Sequence, residues 1–258
     1  MKYWNLFLIS CIGVSSCSNP VQQVQPNKII VTLTEGGLHK TDNEHHYEID
    51  IKYPVIDANV DPQILVAINN VIPERFNQFI NRKEFTEAHL HLPEDFYSAE
   101  NEWKGLLTNT YKVNQADSII FLTFSVYHYF VGAAHGSTYQ HSIIFDLSNG
   151  EEIHYSQFIK TDTASLQKLR KLFNSNLPDS ICWGIQNDSS MIQNMENIVF
   201  ISDSVLFYID DYSICPNAFG IPDIRFSNEQ AAPILKAPLF KSFREIQAAV
   251  NEGEIATH

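Results

Sequence analysis

Three consecutive stretches of alternating apolar and polar residues, joined by turn-forming residues, constrain this chain most. Leu106–Val113, Ser118–Val131 and Thr138–Leu147 each carry the two-residue period of a half-buried strand. Asn114-Gln115-Ala116-Asp117 supplies the first turn, Gly132–Gly136 the second link, and Asn149-Gly150 a further tight turn. Strands joined by such short links cannot cross over to run parallel, so an antiparallel meander is predicted.

Upstream, residues 29–34 and 46–53 alternate as strands, and Gly36-Gly37 with the polar run to Glu44 predicts a turn and loop between them. Asp61-Pro62 opens a helix, with aspartate capping free N–H groups and proline at the first helical position. Ile64, Leu65, Ile68, Val71, Ile72, Phe76, Phe79 and Ile80 give that helix one apolar face, and Pro73 is expected to kink or split it. Residues 83–105 read as a loop or short helix. Downstream, Asp162 or Thr163 caps a helix carrying Leu166, Leu169, Leu172 and Phe173, while residues 178–196 show no clear period. Asn197–Ser202 and Val205–Tyr212 form a hairpin around Ser202-Asp203-Ser204, and Ser227 with Gln230 makes a capping box for a last short helix. The fold class is α+β, with antiparallel sheets and a few packed helices. Its two halves, residues 29–130 and 131–245, form one compact unit sharing a sheet system, followed by a tail at 246–258.

The first sixteen residues read as an export signal. Lys2 precedes an apolar run from Trp4 to Val14, too short to span a bilayer at ~20 residues. The run ends in Val14-Ser15-Ser16-Cys17, a lipobox-like sequence in which Cys17 accepts the lipid after cleavage. Two or three acyl chains suffice for stable anchoring. Residues 17–28 are the lipidated cysteine and a polar, proline-containing tether. Ser18 after the cysteine favours the outer membrane, facing the periplasm, in a Gram-negative host. The expected location is therefore the cell envelope.

Loss of residues 1–16 removes Lys2 and no acid, leaving 16 basic against 30 acidic residues, or −14. Such a balance argues against nucleic acid and anionic lipid as partners and suits a basic protein. Cys11 leaves with the signal and Cys17 is lipidated. Cys182 and Cys215 remain for a disulfide in an oxidising compartment, or for two separate buried thiols.

Several segments, in order across residues 45–236, resemble the RsiV-type extracytoplasmic domain. They are Tyr47–Ile56 (YEIDIKYPVI) followed by Ile68-Asn69, Gly132-Ala133-Ala134-His135-Gly136, and Phe145-Asp146-Leu147-Ser148-Asn149-Gly150-Glu151. Phe207–Pro216 (FYIDDYSICP) and Ala218-Phe219-Gly220 complete the set. The family includes anti-sigma factors that sense lysozyme through this domain and a peptidoglycan deacetylase that carries it beside a separate catalytic domain. The resemblance thus implies a binding role, with a basic protein such as lysozyme or peptidoglycan as partner. Sigma-factor control does not carry over, because the transmembrane helix and cytoplasmic segment of those factors have no counterpart here. Gly132, His135, Gly136, Asp146, Gly150, Tyr212 and Gly220 are the motif positions and read as structural.

No HExxH, GxGxxG, phosphate loop or GxSxG is present, so no catalytic residue is assigned and no cofactor is expected. His89-x-His91 with Glu87 and Glu94 is a weak metal candidate, since alternate residues of an extended segment share a side. His128, His135 and His141 form the other cluster, with His135 read as a buried histidine fixed by backbone hydrogen bonds between Gly132 and Gly136. Asp146 reads as a turn former rather than a base, and the aromatics Tyr127, Tyr129, Phe124, His128 and Phe130 as core. The expectation is a non-catalytic envelope lipoprotein with a binding domain. The alternatives are a metal-dependent envelope hydrolase built on His89, His91 or His135, and a structural lipoprotein that binds another envelope protein.

Overall fold

A computed structural model describes residues 29–42, 47–80, 105–129, 133–177, 182–201, 204–209, 214–216 and 224–236. Cys17, His89, His91, Gly132, Tyr212 and Gly220 lie outside these residues, as do the signal, the tether and the tail. Among the described residues no helix is long and apolar enough to cross a membrane.

The first sheet has five strands in the order β1-β2-β3-β4-β5: Val31–Asp42, Tyr47–Ala58, Gly105–Ala116, Ile119–Tyr129 and Ser137–Asp146. The predicted meander is its second part, with β3–β4 and β4–β5 both antiparallel. Two expectations are corrected. Gly36 and Gly37 do not turn but sit inside β1, opposite Tyr53 and Lys52, because a side chain at Gly36 would strike the Tyr53 ring that lies across it. In addition, β2 and β3 run parallel, pairing Tyr47–Asp50 with Gly105–Thr108, since the chain between them crosses through a helix. Beyond Asp50 the two strands are bridged by Asn109, whose amide accepts from Lys52 N at 2.8 Å and donates to Lys52 O at 2.8 Å.

Helix α1 (Pro62–Ile80) lies on one face of this sheet. Asp61 caps it through Gln63 N at 2.8 Å. Pro73 does not split it. Ile68, Ile72, Phe76 and Phe79, from both sides of the proline, are buried in one core with Leu122, Phe124 and Val126 of β4. Such burial is worth ~1.5–3 kcal/mol per large side chain, enough to offset one lost helical hydrogen bond. Asn69 fastens the helix to β2, accepting from Ile56 N and donating to Ile56 O, both at 2.8 Å.

The second layer contains α2 (Thr163–Ser175), α3 (Asp188–Met195) and a separate three-stranded antiparallel sheet of β6 (Ile198–Ile201), β7 (Ser204–Phe207) and β8 (Ile224–Ser227). Helix α4 (Asn228–Ala231) follows, opened by the Ser227–Gln230 capping box. Asp162 caps α2 as expected, through Ser165 N at 3.0 Å. The fold is α+β as expected, and among the described residues it has two sheets rather than one shared antiparallel system. The missing signal was β8, four residues too short for its period to stand out. The division at residue 130 falls between hydrogen-bonded neighbours, because β5 pairs with β4 along its whole length.

Strand β4 stands between the two cores. Ile120, Leu122, Phe124 and Val126 face α1, while Ile119 and Phe121 face the second layer, where Phe121 meets Phe158 and Phe200 at ring distances of 6.4 and 5.7 Å.

Candidate functional site

The face of β3–β4–β5 that carries Phe121 changes character along the strands. Strand register places Asn114, Phe121 and Ile144 in one row across the sheet. The next row holds Lys112, Thr123 and Ser142; then come Thr110, Ser125 and Gln140; then Thr108, Tyr127 and Thr138. Alternation keeps all of these on one face. The three polar rows span roughly 10 by 13 Å at ordinary strand and residue spacing.

A groove of about 310 Å³ opens over these rows, lined by Thr110, Tyr111, Lys112, Thr123, Ser125, Gln140 and Tyr208. Its floor is built rather than incidental. Thr123 and Gln140 are only 3% and 6% exposed. Gln140 Nε2 donates to Ser125 Oγ at 2.9 Å, and the Thr123 and Ser142 hydroxyls lie 3.4 Å apart. Tyr208, 5% exposed, rises from the second layer, and Lys112 Nζ sits 5.1 Å from its ring centre, within cation–π range. Burial first, and the Glu35 carboxylate second, raise the Tyr111 phenol above its ordinary value. Tyr111 therefore stays a neutral hydroxyl at neutral pH.

Tyr127 stands at the open end of the same face, 37% exposed. Gly136 lies against its ring, so that any side chain at 136 would collide with it. This is what the motif glycine does: it admits an aromatic ring, rather than bending the chain through a left-handed conformation. His135 is exposed, not buried, and its Nδ1 lies 3.1 Å from Gly136 O.

The histidines of the second sequence cluster, His128, His135 and His141, do not converge. His128 is buried near Tyr47, and His141 stacks on Phe79 at 4.6 Å. His141 pairs with Phe124, four residues from His128, or roughly 13 Å along the strand. Among the described residues no group of three or more His, Cys, Asp or Glu is placed to hold a metal. Asp146 organises the turn after β5: its Oδ1 accepts from Ser148 N at 2.8 Å and its carbonyl from Gly150 N at 2.7 Å, with Gly150 at a φ of 79°. Cys182 and Cys215 are joined by a disulfide, with Cα atoms 4.2 Å apart.

The groove was missed in the sequence, although its residues were in view. Thr108 and Thr110, Thr123 and Ser125, and Thr138, Gln140 and Ser142 are alternate positions on three strands. Only the register shows that they form one surface, and register is fixed by long-range pairing. Tyr127 was grouped with core aromatics for the same reason.

Residues 40–138 match the family model described as Deacetylase PdaC, a stretch running from the end of β1 to the start of β5. The fold is similar to that of a DUF3298 family protein from Pseudomonas aeruginosa PAO1, with a TM-score of 0.51 and 17% identity over 84% of this chain and 97% of that one. It is also similar to a DUF3298 family member from Bacteroides fragilis NCTC 9343, with a TM-score of 0.53 and 14% identity over 81% and 94%. No curated protein matches the chain. At these identities the likeness to the solved structures is one of fold.

Proposed function

We propose that this chain is a non-catalytic cell-envelope lipoprotein whose domain binds peptidoglycan through the groove over β3, β4 and β5. The observation that carries the reading is the polar ladder beyond Phe121, hydroxyl and amide groups set in rows by strand register above a buried floor. Groups fixed on strands lose little freedom on binding, and hydroxyls and amides both donate and accept, as sugar hydroxyls and acetamides do. Among the described lining residues there is no carboxylate or imidazole. Lipid on Cys17 and the short tether would hold the domain beside the cell wall, at the outer membrane in a Gram-negative host. The resemblance to RsiV-type domains, one of which accompanies a peptidoglycan deacetylase, points the same way.

A second reading, recognition of a basic lysozyme-like protein, is favoured by the −14 balance and by Glu48 and Asp50. Asp50 is in register with Thr108 at the edge of the polar rows. The test is co-sedimentation of the full-length protein, in mild detergent, with purified sacculi, beside calorimetry with lysozyme at physiological salt. Saturable pelleting with sacculi is expected. Protein that stays in the supernatant while binding lysozyme saturably would replace the first reading with the second.

A further inference from the structure

We infer that the groove reads a sugar bearing a carboxylate, with Lys112 as the group that selects the charge; this rests on the groove being the ligand site. Among the described lining residues, Thr110, Tyr111, Thr123, Ser125, Gln140 and Tyr208 are neutral, and Lys112 alone carries a formal charge. A cation at this place runs against the composition of an acidic chain. Among the described residues it is held there by a ring rather than by an acid. The neighbour of the Lys112 ammonium is the ring of Tyr208, itself buried among the second layer's aromatic and aliphatic side chains. A ring fixes the direction of an ammonium without neutralising it, so the charge remains available to an anion in the groove.

The neighbouring lysine is arranged differently. Lys52, on β2, lies 3.1 Å from Glu35, and the hydrogen bond it donates to that carboxylate raises its affinity for the proton. One lysine beside this face is therefore neutralised by its own chain, and the other is aimed over the hydrogen-bonding rows. In register, Lys112 is directly across from Thr123 and then Ser142, with Thr110, Ser125 and Gln140 in the adjoining row. A ligand lying over both rows meets neutral donors and acceptors along most of its length and one cation at the end nearest Tyr208. That pattern fits a hydroxyl- and amide-rich ring with a single carboxylate. At about 310 Å³ the groove is at the small end of ligand sites, suited to one or two rings rather than a protein surface.

The test uses calorimetry on the full-length protein in detergent, with the disaccharide of N-acetylglucosamine and N-acetylmuramic acid, whose carboxylate is free only where the stem peptide has been removed, and with the same disaccharide amidated at its carboxyl, as it is in an intact sacculus. The wild type is expected to bind the acid about tenfold more tightly than the amide, the scale of one partly exposed charge-assisted hydrogen bond. Lys112→Gln should bind both forms equally, at the affinity of the amide, and Lys112→Arg should keep most of the preference. Equal binding of both forms by the wild type would overturn the assignment of Lys112 while leaving the groove as a sugar site. Binding of neither form would overturn both.

Discussion

One face of the five-stranded sheet is treated in two ways. Towards the second layer, Ile119, Phe121 and Ile144 are sealed beneath the second layer, which holds the three-stranded sheet and the rings of Phe158 and Phe200. Two residues further along β4, on the same face, apolar side chains give way to Thr123, Ser125 and Tyr127, and a groove opens. Both regions share strands, register and twist, so the backbone does not distinguish them; the side chains do. The covered end derives its stability from apolar area removed from water. The open end contributes less of this and instead presents hydrogen-bonding groups that β4 holds in place from its other face, apolar from Ile120 to Val126. The comparison teaches that the sealed region is the mount and the polar region the surface it presents.

The largest effects should separate those two regions. Phe121→Ala leaves a cavity between Phe158 and Phe200 and should cost about 3–5 kcal/mol, read as a drop in the denaturation midpoint. Ser125→Ala, two rows away, removes the acceptor of Gln140 Nε2, should cost about 1–2 kcal/mol in the same measurement, and should weaken sacculus binding. Equal destabilisation by both would break the distinction.

Reducing the Cys182–Cys215 disulfide, which spans 33 residues, should remove about 3–4 kcal/mol from the stability of the second layer. Ligand affinity below the melting transition should stay unchanged, because neither cysteine lines the groove. Calorimetric scans and binding isotherms with and without reductant check both statements.

Asn109→Ala strips Lys52 N–H and C=O of the amide that bridges β2 to β3, at a cost of about 1–3 kcal/mol. Faster amide exchange at Lys52 should accompany it. The smallest effect concerns Asp162, whose pKa is lowered first by the Ser165 hydroxyl and then by the Ser165 backbone N–H. A depressed folded-state pKa means that the cap's contribution is present above the ordinary carboxylate range and fades as the pH falls through the folded value. Asp162→Ala should therefore flatten the acid side of the stability profile slightly and leave the neutral-pH groove untouched.

Much of the architecture was legible because it is local. The meander from Leu106 to Leu147, the Asp61 and Asp162 caps and the Ser227–Gln230 box depend on residues within a few positions of one another. What failed depends on distance. Gly36-Gly37 reads as a turn until the Tyr53 ring, from the neighbouring strand, explains the glycine. The parallel β2–β3 pair needs a crossover, and β8 needs β7 beside it to be a strand. The candidate site was least legible of all. Its residues are ordinary threonines and serines that carry no spacing motif, and they become a surface only through the pairing of three strands.

The most direct measurement is sacculus binding by two tryptophan variants of matched size. Thr110→Trp fills the groove from its exposed rim, and Val66→Trp places the same bulk at a 61% exposed position on α1. Peptidoglycan recognition through the groove predicts that Thr110→Trp stays in the supernatant and Val66→Trp pellets like the wild type. Undiminished pelleting of Thr110→Trp would contradict it.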